Sequence, residues 1–291
     1  MQRVAVLGLG LMGAAIALRL KAQGFAVTGW NRGPEKAAAL AAEGLSTVPT
    51  AAEALALAEL AVLVLSDAEA IAGTLLDPAS PLDLRGKTLL QMGTIAPDQS
   101  RDLAKRIAAA GGDYLEAPVL GSLPEARDGR LIVMAGGEPE LFARCLPLLR
   151  ALGQDPRLIG PLGKGAAVKL AMNQLIAGLT ATFSLSLGLV RAEGIDPQEF
   201  MGLLRSSALY APTFDKKLDK YLSRSYGQAN FPLKHLLKDV RLFRQVAERL
   251  GMDTAVVTTI EAACMRGVGQ GYGDQDYSAL YEALTSLRGG S

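Results

Sequence analysis

A short apolar strand, Arg3-Val-Ala-Val-Leu7, runs directly into Gly8-Leu-Gly-Leu-Met-Gly13, and no other feature constrains the chain as strongly. Helical periodicity follows from Ala14 to Gln23, Gly24 ends it, and Phe25 to Trp30 reads as a second strand. In that setting each glycine has a task. Gly8 permits the tight turn, Gly10 lets backbone approach a pyrophosphate, and Gly13 lets the helix pack close to the strand. The N-terminus of the helix then presents free N–H groups to phosphates. Glycines at this spacing between strand and helix point to a dinucleotide site.

The alternation continues. Strands are expected at Leu60–Leu65, Thr88–Met92, Asp113–Glu116 and Leu131–Ala135, with helices between them. Thr50 and Glu53 form a capping-box pattern before an Ala/Leu run. This order predicts a parallel, doubly wound sheet. From about Gly163 onward no strand is expected. Helices are expected at Gly165–Ala192, Asp196–Ser206, Pro232–Arg249 and Asp253–Gly267. Asp196 reads as an N-cap, Pro197 takes the first helical position and Glu199 closes a box. Gly160-Pro-Leu-Gly-Lys-Gly165 is the natural boundary, so residues 1–162 form a nucleotide-binding domain and 163–291 an all-helical one.

Two uncharged runs need a reading of their own. Val4–Leu18 has the length of a signal-peptide core, but the spaced glycines interrupt it and no small-residue cleavage site follows. Leu170–Val190 is long enough to span a bilayer, yet Asn173, Gln174, Thr180, Thr182, Ser184 and Ser186 make it a poor span. It is expected to be a long helix buried on most sides of a soluble, cytoplasmic protein.

Charge and rare residues narrow the chemistry. With 30 Lys+Arg against 29 Asp+Glu there is no basic footprint for nucleic acid or an anionic membrane. One histidine, His235, and two cysteines, Cys145 and Cys264, leave no zinc cluster and no disulfide framework. No metal site is expected, and a proton donor or acceptor would be a Lys, Tyr, Asp or Glu. The end of the second strand, Trp30-Asn-Arg32 with Lys36 one turn later, lacks the carboxylate that accepts from a ribose 2′-OH. A guanidinium there attracts a 2′-phosphate, which favours NADP(H) over NAD(H). Lys169 stands one helical turn before Asn173, so the two share a face, and it precedes the uncharged stretch. An ammonium so placed suits proton donation to a carbonyl oxygen that accepts hydride at carbon.

Taken together, Gly8–Gly13, Trp30-Asn-Arg32, Leu65-Ser-Asp67, Met92-Gly-Thr-Ile95, Glu116-Ala-Pro-Val-Leu-Gly-Ser122, Gly163–Asn173 and Phe231–Asp239 resemble the β-hydroxyacid dehydrogenases, the 3-hydroxyisobutyrate dehydrogenase-like family. The last motif, with Gly273–Ser278, resembles most the glyoxylate/succinic semialdehyde reductase branch. The resemblance implies a Rossmann-type α/β N-terminal domain and an all-α C-terminal domain joined by a long interdomain helix. It also implies a homodimer or homotetramer through the helical domain. Cofactor contacts then map to Gly8, Leu9, Gly10, Leu11, Met12, Gly13, Asn31, Arg32, Leu65, Ser66, Thr94 and Lys238, beside Lys36 from the charge reading above, and the catalytic lysine to Lys169, with Asn173 placed to orient it or to bond the substrate. Substrate contacts map to Leu120, Gly121, Ser122, Asn173, Phe231 and Asp239, with Asp239 also holding Lys238 in a charge pair.

Two positions depart from the family pattern. Gly93-Thr94 stands where Ser-Thr is typical, and Leu120-Gly121-Ser122 where a first serine helps hold a substrate carboxylate. Leu120 donates no hydrogen bond, whereas Gly121 backbone and Ser122 still offer donors. The leading reading is NADPH-dependent reduction of a small aldehyde or keto acid of the glyoxylate/succinic semialdehyde type. An imine reductase of the same architecture, and a non-catalytic nucleotide-binding protein, stand beside it.

Overall fold

The computed structural model describes residues 2–80 and 82–285. The chain divides into two compact units, residues 1–170 and 171–291. Among its described residues the first unit is built on nine strands: β1 (Arg3–Leu7), β2 (Ala26–Trp30), β3 (Ser46–Thr47), β4 (Leu60–Leu63), β5 (Thr88–Gln91), β6 (Asp113–Glu116), β7 (Val119–Leu120), β8 (Ile132–Gly136) and β9 (Arg157–Gly160). Its helices are α1 (Leu11–Ala22), α2 (Pro34–Ala42), α3 (Ala51–Ala56), α4 (Ala68–Leu75), α5 (Pro97–Ala109), α6 (Leu123–Asp128) and α7 (Pro139–Leu152). α8 (Lys164–Ala192) starts in this unit and continues into the second, where α9 (Pro197–Arg205), α10 (Pro212–Ser223), α11 (Leu233–Arg249), α12 (Ala255–Gly267) and α13 (Leu280–Thr285) follow.

The strand order is β3-β2-β1-β4-β5-β6-β8-β7, with β9 paired to β8. β1 is parallel to both β2 and β4, and the parallel run extends through β5 to β6. Successive residues of β1 face opposite layers, so Val4 and Val6 join α1 and α7 in one core while Ala5 and Leu7 join α3, α4 and α5 in the other. Burial on both faces explains why the strands read as unbroken apolar runs. The unit is a Rossmann-like domain, and the turns after β1, β2, β4 and β5 leave the C-terminal ends of its parallel strands.

One expectation fails here. β8, foreseen in a parallel sheet, runs antiparallel to β6 and β7. After β6 the chain does not cross the sheet in a covering helix. It turns at Pro118 into β7, and α6, only six residues long, packs against α1 instead. A parallel neighbour would have needed a full crossover. Helix α1 also starts at Leu11, inside the glycine run rather than after it. Asp196 caps α9 by accepting from Gln198 N–H.

The second unit is all-helical among its described residues, apart from an isolated bridge between Pro232 and Asp276. α11 and α12 bury Leu233, Leu236, Val240, Ile260 and Cys264 together. An aromatic group, with Phe183 stacked on Phe214 at 4.6 Å and Tyr221 tilted beside them, joins α8 to α10. α10 was not foreseen from sequence, yet it supplies Lys217, whose ammonium lies 2.7 Å from Asp276 in an ion pair only 6% and 0% exposed. The other Asp276 oxygen accepts from Ser278 N–H and Oγ–H, so the buried carboxylate is fully engaged.

The long helix is less enclosed than expected: 39% of its most apolar window is buried. Leu175, Leu185 and Leu189 are more than half exposed, and with Gly178 and Thr182 they recur at alternating steps of three and four residues. The opposite face, with Asn173, Ala177, Thr180, Ser184 and Leu187, is buried.

Candidate active site

The first half of the site is the turn after β1. Gly8 has φ +99°, and a Cβ there would lie 2.3 Å from the Val64 carbonyl oxygen. At Gly13 a Cβ would lie 1.8 Å from the Gly8 carbonyl oxygen. Both glycines are therefore demanded by the protein itself. Gly10 differs: its missing Cβ would meet nothing within 4 Å, although it caps α1. α1 has no capping side chain and no acidic residue in its first turn. An open glycine ahead of an uncapped, uncountered helix N-terminus fits a pyrophosphate. Leu9, Leu11 and Met12 complete the turn; Leu9 is buried in the core and Leu11 is exposed.

The end of β2 locks this turn. The Asn31 amide accepts from Leu9 N–H at 2.9 Å and donates to the Gly33 carbonyl at 2.9 Å, so both its ends are spent on backbone. Arg32 and Lys36 are exposed beyond it. After β4, Leu65 is half-buried and Ser66 Oγ–H donates to Asp67. Asp67 in turn caps α4 by accepting from Ala70 N–H.

After β5 the family departure at Gly93 has a steric cause. A Cβ there would lie 2.7 Å from the Leu65 carbonyl oxygen, and the buried Gln91 amide donates to the Gly93 carbonyl. The loop bearing Thr94, itself half-buried, is drawn against the β4 loop and leaves no room for serine. After β7, Leu120 is half-buried and Gly121 takes φ +139°. Ser122 does not stand ready as expected. Its N–H and its hydroxyl both donate to Glu125, as the cap of α6.

The last element of this unit is the first turn of α8. Lys169 lies one turn into it and is 9% exposed. The helix begins on Glu116, the fully buried final residue of β6, whose Oε1 accepts from Gly165 N–H at 2.8 Å and Ala166 N–H at 3.3 Å. Its Oε2 accepts from Ser100 Oγ–H, and Ser100 Oγ is 3.0 Å from the Tyr114 hydroxyl. Glu116 is not among the residues expected at the site from sequence. The available signal was a carboxylate ending a buried strand with no cation near it in sequence.

The second unit holds a polar cluster in an apolar setting. Asn173, one turn after Lys169 on α8 and 3% exposed, donates through Nδ2 to Asp239 Oδ2 at 2.6 Å. Lys238 Nζ lies 3.0 Å from Asp239 Oδ1, an ion pair that is off-angle for a hydrogen bond. With Nδ2 committed, the buried Asn173 Oδ1 has no hydrogen-bond partner among the described residues. Phe231 packs edge-on against Tyr277 at 5.8 Å and is half-buried beside the α11–α12 core.

The rare residues are chemically quiet. Burial pushes the Cys145 thiol up to about 11 and the Cys264 thiol up to about 12, so neither is a nucleophile near neutral pH. Desolvation, then the Lys238 and Lys234 ammonium groups, hold His235 below its usual range and leave it neutral. No cluster of metal-ligating side chains occurs among the described residues.

Comparison with known proteins gives the family. Residues 3–163 match the family described as the NAD binding domain of 6-phosphogluconate dehydrogenase. Residues 163–284 match that described as NAD-binding of NADP-dependent 3-hydroxyisobutyrate dehydrogenase. Glyoxylate/succinic semialdehyde reductase 1 of Arabidopsis thaliana is 32% identical over 98% of this chain and 99% of its own length. The crystal structure of 3-hydroxyisobutyrate dehydrogenase from Salmonella typhimurium superposes with TM-score 0.86 at 23% identity, over 97% of this chain and 99% of that one. An imine reductase from Pseudomonas sp. reaches TM-score 0.66 at 24% identity, over 97% and 99% of the two chains. A pyrophosphate turn, a buried lysine on a long helix and matches that run nearly end to end lead to one assignment: the chain belongs to the 3-hydroxyisobutyrate dehydrogenase family of NAD(P)-dependent oxidoreductases.

Proposed function

We propose that this oxidoreductase uses NADPH to reduce a small aldehyde or keto acid of the glyoxylate/succinic semialdehyde type, with Lys169 as proton donor. The observation that carries the reading is the placement of Lys169 and Asn173. Lys169 is buried on the first turns of α8, and one turn later Asn173 is held by Asp239 through Nδ2, which leaves its buried carbonyl oxygen as an unused acceptor. The bound cofactor supplies the hydride. Lys169 gives a proton to the carbonyl oxygen and stabilises the charge developing there. Asn173 Oδ1 accepts from whichever donor stands before it, the lysine ammonium or the product hydroxyl, and so holds the proton path in line.

NADPH is supported by the end of β2, where Asn31 is spent on backbone and exposed Arg32 and Lys36 offer the charge a 2′-phosphate attracts. It is supported too by the NADP-dependent description of the matching C-terminal family. The substrate class follows the Arabidopsis relative's name. Two residues temper its carboxylate. Leu120 donates nothing and Ser122 already donates to Glu125, so a carboxylate must displace that cap or rely on backbone N–H groups. The same apolar character favours an imine substrate as the second reading, against which stands Lys169.

We further propose a cytoplasmic homodimer or homotetramer. The two free, buried thiols suit a reducing compartment. The exposed leucine stripe of α8, with steps of three and four, has the period of a helix that packs against another helix.

A screen of cofactor oxidation at 340 nm tests the chemistry. It should cover glyoxylate, succinic semialdehyde, apolar aldehydes and cyclic imines, each with NADPH and NADH. Turnover with NADPH on small aldehydes is expected. Turnover on imines alone would promote the second reading, turnover with NADH alone would remove the cofactor assignment, and a flat trace throughout would indicate a non-catalytic nucleotide-binding protein.

A further inference from the structure

Helix α8 is the element that carries Lys169, and its start is fixed by a device that the reaction itself does not require. The first N–H groups of a helix have no partner within it. Here Glu116 Oε1 takes two of them, those of Gly165 and Ala166. The carboxylate is 0% exposed and stands at the last position of β6, in the sheet. It is held there from behind. Ser100 Oγ–H donates to Oε2. Burial raises the pKa of Tyr114 far above its usual value, so its hydroxyl keeps its proton and donates to Ser100 Oγ.

The surroundings are cut to admit this carboxylate. A Cβ at Gly136, the residue paired with Glu116 across the sheet, would lie 2.1 Å from Oε1. A Cβ at Gly165 would lie 2.4 Å from the Met134 carbonyl oxygen and 3.2 Å from Oε1. Two glycines without positive φ therefore stand where any side chain would push Glu116 off the helix end. A solvent-exposed cap needs no such clearance.

We infer that Glu116 is the positioning residue for Lys169, fixing the first turn of α8 to the end of β6 so that the ammonium is held at one depth and one azimuth. Lys169 follows Gly165 by four residues, a single helical turn, so a shift at the cap reaches the ammonium with little to absorb it. Proton transfer tolerates little of this, since displacement by about 1 Å can cost on the order of 10²-fold in rate. The inference rests on Lys169 as proton donor.

The test compares Glu116→Ala, Glu116→Gln and Lys169→Ala in the full chain. For Glu116→Ala, kcat should fall about tenfold or more. The deuterium isotope effect with 4-deuterated NADPH should rise, while the Kd of NADPH, read by its fluorescence, stays within about threefold. Amide exchange in residues 163–170 should quicken. Glu116→Gln keeps the acceptor for both N–H groups and should recover kcat to within about threefold. A folded Glu116→Ala enzyme with wild-type kcat overturns the inference, as does a Gln variant as slow as the Ala variant. If Glu116→Ala does not fold, Ser100→Ala decides. It removes one donor behind Glu116, and the inference requires faster exchange at 163–170 with kcat down about threefold. Unchanged exchange and turnover in that variant contradict it. Lys169→Ala separates the two readings. If that variant keeps its turnover, the proposed chemistry falls; if it is inactive while Glu116→Ala runs at full rate, only the positioning role falls.

Discussion

The proposed preference for NADPH rests on one side chain, Arg32. It is exposed at the end of β2, where no carboxylate competes for a ribose hydroxyl, and Asn31 beside it is already occupied. Arg32→Ala should raise the KM for NADPH about tenfold, roughly 1.4 kcal/mol of lost charge-assisted bonding, and leave that for NADH nearly unchanged. Equal cofactor constants before and after the change would remove its role. Residues of this kind were legible in the sequence because the strand–turn–helix–strand pattern itself defines them: Gly13 meets the Gly8 carbonyl and Asn31 the Leu9 N–H within that unit, and Gly8 takes the positive φ of the turn, although the Val64 carbonyl it makes room for comes from β4. Gly93, Ser122 and Glu116 were not. What decides them is the Leu65 carbonyl, the Glu125 carboxylate and the start of α8, and two of those three arrive through tertiary folding. Ser122-x-x-Glu125 has the spacing of a capping box, but that spacing does not say whether the hydroxyl serves the helix or a ligand.

At the scale of elements, helices and parallel strands were readable because each buries a periodic apolar face. Arg3–Leu7 and Asp113–Glu116 appear with the bounds expected, and α8 begins one residue early. The direction of β8 was not readable, since it depends on how the chain turns at Pro118 rather than on any pattern within the strand. α10 was missed because its buried face includes a lysine. Lys217 is pushed below the usual range by burial and held charged by Asp276, and the pair joins α10 to the segment that pairs with Pro232 ahead of α11. Lys217→Met strands a buried carboxylate and should cost about 3–5 kcal/mol in urea unfolding, whereas adding Asp276→Asn should recover much of it. A single variant as stable as the wild type would show that the pair contributes nothing to the second unit.

The whole molecule is a Rossmann-like unit followed by a helical unit, and both belong to the same family of oxidoreductases. The proposed assembly turns on α8. An uncharged run of this length suggested burial on most sides, but a single chain leaves Leu175, Leu185 and Leu189 in water. Sequence pattern alone does not separate a face buried by the same chain from one buried by a second copy. Leu185→Glu combined with Leu189→Glu should shift the protein to a monomer in sedimentation velocity at micromolar concentration. A variant that sediments with the wild type as an oligomer would place the interface elsewhere.

Everything functional in this account converges on one ammonium, so the most direct measurement is turnover of Lys169→Ala on the best carbonyl substrate, with NADPH affinity measured alongside. The account predicts a fall in kcat of about 10²-fold or more, with the NADPH Kd within about threefold of wild type. Unchanged turnover in the folded, nucleotide-binding variant would contradict it.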